Sequence, residues 1–310
     1  MKNKLIIITG PTAVGKTALS VKLAKRINGE IISADSMQIY KGMDIGTAKV
    51  TSSEADGIKH YLVDVLEPTQ DFNVFEFKKM AKEACDTINA KGKIPIVAGG
   101  TGFYIRALLY DADFEETGDI GIRKRLEKEA HIHGGEMLFD RLKEVDPEYS
   151  LTVHPNNLKR VIRALEYFEQ TGERFSEYNR RLGKKESPYD FHYYVLTDDR
   201  EVMYSNIDKR VDKMITQGLV DEVKNLLEKG ISPRNTSMQA IGYKEITEYL
   251  ENRCTLDEAV ASIKQNTRHY AKRQLTWFRK EKAVCFIDKR DFDRDDEKIL
   301  DHMIGEIYNG

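Results

Sequence analysis

The sequence predicts an α/β fold in which helices flank a mainly parallel sheet. Short apolar runs alternate with helical patterns along the first hundred residues, as is typical of parallel βαβ units. The first run, Leu5–Ile8, is continuous, rich in β-branched residues and ended by Gly10-Pro11, which indicates a strand buried on both faces. Similar runs predict further strands at 30–33, 61–66, 94–98, 192–196 and 284–287.

The helices follow from apolar residues repeated with a period near 3.6. One helix is predicted from about Thr17, and a second runs through Phe77 to Ile88 before Gly92. Two longer stripes, at 207–226 and 256–278, predict amphipathic helices in the last third of the chain. Residues 117–190 are charged and helical in period, without a predicted strand. We therefore expect a core domain from 1–116 and 191–310, with a helical insertion domain at 117–190.

Composition restricts the class of protein. The 310 residues carry 49 basic and 51 acidic side chains, and 40% are hydrophobic, so a sizeable core is expected and global disorder is excluded. No apolar run approaches the ~18 residues needed to span a membrane. Three distant cysteines, Cys85, Cys254 and Cys285, do not suit a disulfide framework or a four-ligand zinc site. We expect a cytoplasmic protein that acts as a monomer.

A phosphate-binding motif follows the first predicted strand. The residues are Gly10, Pro11, Thr12, Ala13, Val14, Gly15, Lys16 and Thr17, which match G-x-x-x-x-G-K-[ST]. In such a P-loop, backbone N–H groups and a helix N-terminus face the phosphates, the lysine adds a charge and the Thr hydroxyl suits Mg²⁺. The alternative is a chance glycine-rich turn. The motif predicts a P-loop NTPase-like sheet and a bound di- or triphosphate, as in nucleotide- and ATP-binding proteins, but no particular reaction.

Two further segments are expected at the same edge of the sheet. Asp35 follows the second strand, and Gly99-Gly100-Thr101-Gly102 follows the fourth. Ligands of open parallel sheets bind beyond the carboxyl ends of the strands. Asp35 is therefore a candidate general base, with a helix cap or turn residue as the alternative. The glycines around Thr101 permit close approach to a ligand, or simply form a turn.

Positive charge is concentrated in two segments. Residues 264–282 contain seven basic residues and one acidic residue, and residues 158–185 contain eight and four. Lys264, Arg268 and Lys272 recur every four positions along one predicted helix. Such stripes favour a polyanionic partner, although solvated helix faces or long side chains covering the core would produce the same pattern.

Beyond these motifs, the sequence resembles the tRNA dimethylallyltransferases, also called tRNA isopentenyltransferases. The longest block is 32–49, ISADSMQIYKGMDIGTAK, and further blocks follow in order at 60–64, 99–104, 160–166, 239–245 and 267–279. Two departures, Val14 where Ser is usual and Phe103 where Leu is frequent, remove no required charge. The chain ends without the Cys/His zinc-binding extension of eukaryotic relatives, which resembles the bacterial form.

The resemblance implies transfer of a dimethylallyl group from dimethylallyl diphosphate to N6 of adenosine 37, in tRNAs that read codons starting with U. It implies that the P-loop and Mg²⁺ hold the diphosphate, aided by Arg210, which on the sequence alone is equally an exposed helix charge. Asp35 would accept the N6 proton, and Thr101 would align the two substrates.

The tRNA anticodon stem-loop is the partner that the resemblance implies. Its expected contacts are Asp35, Ser36, Met37, Gln38 and Thr101 near the base, then Arg123, Lys159, Arg160, Val161, Ile162 and Arg163 in the insertion, and Gln239, Gly242 and Lys244. Three alternatives remain at this stage. They are a small-molecule or nucleotide kinase using ATP, an isopentenyltransferase acting on free adenine nucleotides, and a non-catalytic RNA-binding P-loop protein.

Overall fold

The computed structural model describes residues 2–110, 120–182, 185–281 and 283–309. The chain divides into two compact units, Met1–Leu109 with Pro188–Gly310, and Tyr110–Ser187. The predicted boundary at 116/117 lies outside the described residues. At the second boundary the structure differs from the predicted 190/191, because Tyr189 and Asp190 already pair with Asn3 and Lys4 of the first strand.

The first unit is built on a six-stranded sheet whose strands are all parallel, in the order β3-β2-β4-β1-β5-β6. The strands are β1 (Asn3–Thr9), β2 (Gly29–Ser33), β3 (His60–Tyr61), β4 (Ile94–Gly99), β5 (Tyr189–Thr197) and β6 (Cys285–Asp288). Its helices are α1 (Lys16–Arg26), α2 (Ser52–Ala55), α3 (Val74–Ala90), α4 (Gly102–Leu109), α10 (Arg200–Thr216), α11 (Leu219–Glu228), α12 (Tyr243–Leu250), α13 (Leu256–Phe278) and α14 (Asp296–Asn309). The predicted α/β class with a P-loop-like parallel sheet is confirmed.

The core lies on both faces of this sheet. Ile6 and Ile8 of β1 pack in one cluster with Leu23 of α1 and Met303 of α14. Leu5 and Ile7 are equally buried, and they point to the opposite face because side chains alternate along a strand. This two-sided burial is the physical reason for the continuous apolar run in the sequence.

The third strand is shorter than predicted. Pairing with β2 stops at Tyr61, whereas the apolar run suggested a strand to residue 66. Leu62 and Asp64 have φ of 61° and 55°, in the left-handed region that interrupts an extended chain. Beyond Tyr61 the segment forms an isolated parallel bridge between Leu66 and Tyr40, which lies outside the sheet.

All regular secondary structure in the described part of the second unit is helical, as predicted. Its helices are α5 (Ile120–His133), α6 (Gly135–Val145), α7 (Pro147–Ser150), α8 (Leu158–Thr171) and α9 (Phe175–Leu182). Leu126 of α5, Leu138 and Leu142 of α6, and Val161 and Leu165 of α8 form its core. Across the described parts of both units, no helix combines the length and apolarity that crossing a bilayer requires.

A buried carboxylate joins strands at the edge of the sheet. Glu30 of β2 accepts hydrogen bonds from Lys93 (2.8 Å), the Tyr61 hydroxyl (2.7 Å) and Lys91 (3.0 Å). Burial by itself would raise the pKa of Glu30, but these three donors outweigh it and lower the pKa to about 2. The ionised form is therefore the one that stabilises the fold.

This cluster predicts a loss of stability in acid. Since the pKa of Glu30 is lower in the folded chain than in the unfolded one, its contribution is complete above pH ~4.5 and is lost as the pH falls towards 2. We expect about 1–2 kcal/mol from this group, because both lysines are partly exposed. Urea unfolding from pH 6 to 3 should show a smaller acid-dependent loss for Glu30→Gln than for Glu83→Gln, an exposed control. Equal pH dependence in the two variants would contradict the assignment.

Candidate active site

The loop between β1 and α1 forms a backbone cradle. Gly10, Ala13 and Gly15 have positive φ of 145°, 65° and 101°, so the chain turns tightly between strand and helix. A Cβ on Gly10 would lie 2.4 Å from the carbonyl oxygen of Leu196, so a larger residue would displace the loop. Gly15 caps α1 without a side chain, which leaves the first N–H groups of the helix available to an anion.

Lys16 folds back over this loop. Its Nζ donates to the carbonyl oxygens of Gly10 (3.0 Å) and Pro11 (2.8 Å). Burial and, to a smaller extent, the charge of Arg210 lower the pKa of Lys16, and the carboxylate of Asp35 raises it. The net pKa is about 7. A bound diphosphate would place negative charge next to Lys16 and so stabilise its charged, ammonium form.

A cavity of about 400 Å³ opens over the cradle. Its polar lining includes Lys16, Thr17, Asp35, Gln38, Glu54 and Arg210. Arg210 of α10 is partly buried here, so the structure favours the binding role over that of an exposed helix charge. Burial lowers the pKa of Arg210, whereas Asp35 and Glu54 raise it. Two cations and the loop N–H groups therefore line one cavity.

Asp35 lies between this cavity and a second one. It follows β2 directly, is half-buried and accepts the backbone N–H of Met37 at 2.9 Å. The second cavity, of about 300 Å³, is also lined by Asp35 and Arg210. Its apolar lining consists of Met37, Val211, Met214, Ala240, Ile241 and Ile263. Asp35 therefore lies where a molecule bound in the first cavity, over the cradle, would meet a molecule bound in the more apolar second cavity.

The other predicted base contacts divide between these cavities. Ser36 and Met37 line the second cavity, and Gln38 lines the first. Thr101 lines neither, although its Oγ1 is buried beside the Tyr270 hydroxyl. Burial raises the pKa of Tyr270 to about 12, so this hydroxyl is a proton donor at neutral pH. Tyr270 lines both cavities, whereas Thr101 lies behind it.

Gln274 of α13 is a site residue that the sequence reasoning missed. Its Oε1 accepts the N–H of Thr12 at 2.9 Å, and its Nε2 donates to the carbonyl of Gly100 at 2.9 Å. The amide therefore joins the phosphate loop to the glycine-rich turn after β4. Its position in the helical period could have revealed it. Gln274 lies on the same face of α13 as Ala271 and Phe278, which are buried, so a polar residue there needs a partner inside the protein.

Replacing Gln274 should destabilise the unit. Gln274→Leu leaves the Thr12 N–H and the Gly100 carbonyl without this partner, and we expect a cost of about 1–3 kcal/mol. Urea unfolding of the variant, beside Gln265→Leu on the exposed side of the same helix, provides the comparison. Matching unfolding midpoints for the two variants would show that the bridge contributes nothing.

The predicted basic stripe on α13 is largely neutralised within the protein. Arg268 donates to both carboxylate oxygens of Asp208 at 2.6 Å, and Lys264 lies 2.6 Å from Asp212. Both acids belong to α10, so these pairs join two helices. Lys272 and Arg273 are exposed, and Arg273 lines the second cavity. Lys282 lies outside the described residues.

The residues predicted near 240 have different surroundings. Gln239 lines the second cavity while its Nε2 donates to the carbonyl of Pro233 at 2.7 Å. Gly242 caps α12, where its φ is 100° and its N–H binds Glu245 at 2.7 Å. Lys244 is partly exposed and lies 3.4 Å from Glu245. Of these three, the structure brings only Gln239 to a cavity.

The predicted tRNA contacts of the insertion separate by burial. Lys159 and Arg160 are exposed on α8. Val161 and Ile162, in contrast, are 0% and 5% exposed in the core of this unit, so their side chains do not present a surface to RNA. The helical period already assigned both to the apolar side, and packing follows that period.

Arg123 and Arg163 share one buried partner in this unit. Their guanidinium groups donate to Oε2 of Glu166, at 2.7 and 3.2 Å, and that carboxylate is 1% exposed. Both arginines remain partly exposed. The shared carboxylate holds the two cations close together at the surface of the unit.

The chain is similar to proteins of one kind over nearly its whole length. A family model described as IPP transferase matches residues 38–281. A tRNA dimethylallyltransferase of Lachnoclostridium phytofermentans is 55% identical, over 97% of this chain and 96% of that protein. One from Bacillus mycoides is 50% identical, over 99% and 96%.

Solved structures agree with this. The tRNA isopentenylpyrophosphate transferase of Bacillus halodurans is 43% identical, with a TM-score of 0.75 over 99% of this chain and 98% of that one. A eukaryotic dimethylallyltransferase acting on tRNA is 28% identical, with a TM-score of 0.82 over 98% and 78%. The phosphate cradle and the neighbouring Asp35 thus occur in a chain that belongs to the IPP transferase family.

Proposed function

We propose that this protein transfers a dimethylallyl group from dimethylallyl diphosphate to N6 of adenosine 37 in tRNAs that read codons starting with U. The observation that carries the proposal is the position of Asp35 between the phosphate cradle and the second cavity. The products are N6-(dimethylallyl)adenosine and diphosphate. The protein would act as a cytoplasmic monomer.

The diphosphate end of the donor occupies the first cavity. Loop N–H groups, Lys16 and Arg210 surround the oxygens on which negative charge develops as the carbon–oxygen bond breaks. Donors fixed in place before the reaction stabilise such charge most where it develops. The leaving group therefore departs with its electron pair into a site already built for an anion.

Mg²⁺ fits the same cavity. Thr17 and Glu54 offer a hydroxyl and a carboxylate, and oxygen donors are the ligands that Mg²⁺ prefers. Thr17 is the residue proposed to hold the ion, with the diphosphate providing further oxygens. When bound, Mg²⁺ would neutralise charge on the leaving diphosphate.

The adenine enters from the second cavity. The exocyclic N6 is a weak nucleophile because its lone pair is delocalised into the ring, so it needs orientation and a base. N6 forms the new bond to the allylic carbon, and its proton passes to the carboxylate of Asp35. Adenosine 37 must leave the loop stack to reach this position, at a cost of about a few kcal/mol.

Away from the adenine, RNA contacts are proposed for exposed or partly exposed groups. Lys159, Arg160, Arg123 and Arg163 of the insertion, and Gln239 and Arg273 of the first unit, are accessible to a nucleic acid. Cations that neutralise RNA phosphates release counterions, so RNA affinity should fall steeply with salt. Val161 and Ile162 support the fold of the insertion instead.

A transfer assay tests the function. Purified protein and Mg²⁺ are mixed with dimethylallyl diphosphate labelled in the dimethylallyl group, and with an anticodon stem-loop carrying adenosine 37. A stem-loop with guanosine at that position is the matched control, because it lacks the N6 amine. Label in the first RNA alone supports the proposal. Label only in added AMP, or transfer of phosphate from ATP instead, would replace it with the free-nucleotide or kinase alternative.

A further inference from the structure

Glu222 of α11 receives four hydrogen bonds from elements distant in sequence. Its Oε2 accepts the backbone N–H groups of Asp44 (2.9 Å) and Ile45 (2.8 Å). Its Oε1 accepts the N–H of Gly46 (3.1 Å) and the hydroxyl of Tyr243 (2.6 Å). Three consecutive backbone donors thus converge on one carboxylate, and hydrogen bonds to an ionised acceptor are stronger than neutral ones.

The bound segment leads directly into the walls of both cavities. Thr47 and Ala48 line the first and the second cavity, and Gly46 lines the second. The carbonyls of Thr47 and Ala48 each accept a hydrogen bond from Nε2 of Gln38, at 3.3 Å. The segment is therefore hydrogen-bonded to the residue three positions after Asp35.

The segment has little freedom once Glu222 holds it. A Cβ on Gly46 would lie 2.4 Å from the Tyr243 ring, so the backbone packs directly against α12. Lys49 anchors the other end, with its Nζ 2.8 Å from the carbonyl of Tyr40 and paired with Asp44 and Asp64. Glu222 and Tyr243 are the contacts that tie the segment to the helices of the last third of the chain.

We infer that Glu222 is a positioning residue for the acceptor. Its carboxylate fixes residues 44–46, and so sets the position of Thr47 and Ala48 in the walls of the two cavities that Asp35 also lines. This inference rests on the proposed function, because it takes the second cavity to be the site of adenine entry. The diphosphate cradle is formed by the loop after β1, and only Thr47 and Ala48 of the segment reach the first cavity, so donor binding should depend on Glu222 much less than acceptor binding does.

Glu222→Gln tests the hydrogen bonds of the carboxylate while keeping the size of the side chain. The amide keeps one acceptor oxygen but turns an NH₂ group towards backbone N–H donors, so either the Asp44 and Ile45 bonds or the Gly46 bond is lost, while the Tyr243 hydroxyl can reverse its bond and accept from the NH₂ group. Glu228→Gln removes the same charge from the same helix at an exposed site that pairs only loosely with Lys224, at 3.9 Å. Tyr243→Phe removes one hydrogen bond and keeps the ring against Gly46, which provides a milder variant.

Two measurements on the full-length variants test the inference. For Glu222→Gln we expect kcat/KM for the stem-loop to fall about tenfold to a hundredfold, with the KM for dimethylallyl diphosphate within about twofold of wild type. Hydrogen exchange at the amides of residues 44–46 should accelerate at least about tenfold. Tyr243→Phe should show a smaller change in the same direction, and Glu228→Gln none.

The outcomes are distinguishable from failure of the proposed function. Unchanged exchange at residues 44–46 in Glu222→Gln would overturn the inference, whether or not the wild type transfers the dimethylallyl group. Faster exchange with unchanged kcat/KM for RNA would also overturn it, since the segment would then not position the acceptor. A parallel rise in KM for the donor would assign Glu222 to the general fold. An inactive wild type would contradict the proposed function and the acceptor role together.

Discussion

Asp35→Asn is expected to slow transfer to RNA by about 10²- to 10⁴-fold, the usual contribution of a general base. Asparagine has nearly the same shape, and its Oδ1 can still accept the N–H of Met37, so the turn after β2 should remain intact. The loss would therefore come from the missing proton acceptor. Single-turnover rates with a labelled donor and the stem-loop measure it.

Asp35→Asn also needs a separate measurement of donor binding. Asp35 supports the charged form of Lys16, so the substitution could weaken the diphosphate site as well. The KM for dimethylallyl diphosphate separates the two effects. Asp86→Asn, an exposed change on α3, is the matched control. A rate close to wild type in Asp35→Asn would remove the carboxylate from its role as base.

Lys16→Met is the second substitution for which we expect a large loss of activity. Its ammonium group lies at the mouth of the cradle, bonded to the carbonyls of Gly10 and Pro11. Methionine keeps much of the length and removes the charge that stabilises the departing diphosphate. By analogy with the loss of one preorganised donor, we expect kcat to fall about 10²- to 10³-fold.

Binding of inorganic diphosphate, measured by calorimetry, should weaken in Lys16→Met along with the rate. Lys25→Met changes the same charge on the exposed side of α1, where Lys25 pairs with Asp56, and should leave both quantities unchanged. Wild-type affinity in Lys16→Met would show that the loop N–H groups and Arg210 hold the diphosphate without it. The cradle assignment would then stand, but the role of Lys16 would not.

Features predicted correctly from the sequence are local in the chain. The strands at 5–8, 30–33 and 94–98 are short, largely apolar segments because their central residues are buried in the sheet. Eight consecutive residues form the cradle, because a tight turn followed by a helix needs glycines at fixed spacing. Asp35 was placed by the rule that parallel strands end at one edge, which their observed pairing supports.

Features that the sequence did not reveal join residues far apart in the chain. Gln274 bonds Thr12 across 262 positions, and Glu222 bonds Gly46 across 176. The stripe on α13 suggested free cations, but Asp208 on α10 pairs with Arg268. A charge pattern on one helix does not specify what the neighbouring helix presents.

The sequence by itself therefore determined the class of fold, the phosphate cradle and the family of this protein, because each depends on short-range patterns or on ordered motifs. Tertiary structure decided which polar groups meet. It brought Arg210 to the cavity beside Asp35 and set Glu222 against residues 44–46. The physical reason is that a buried or partly buried polar group must find its partner in space, and packing rather than sequence distance selects that partner.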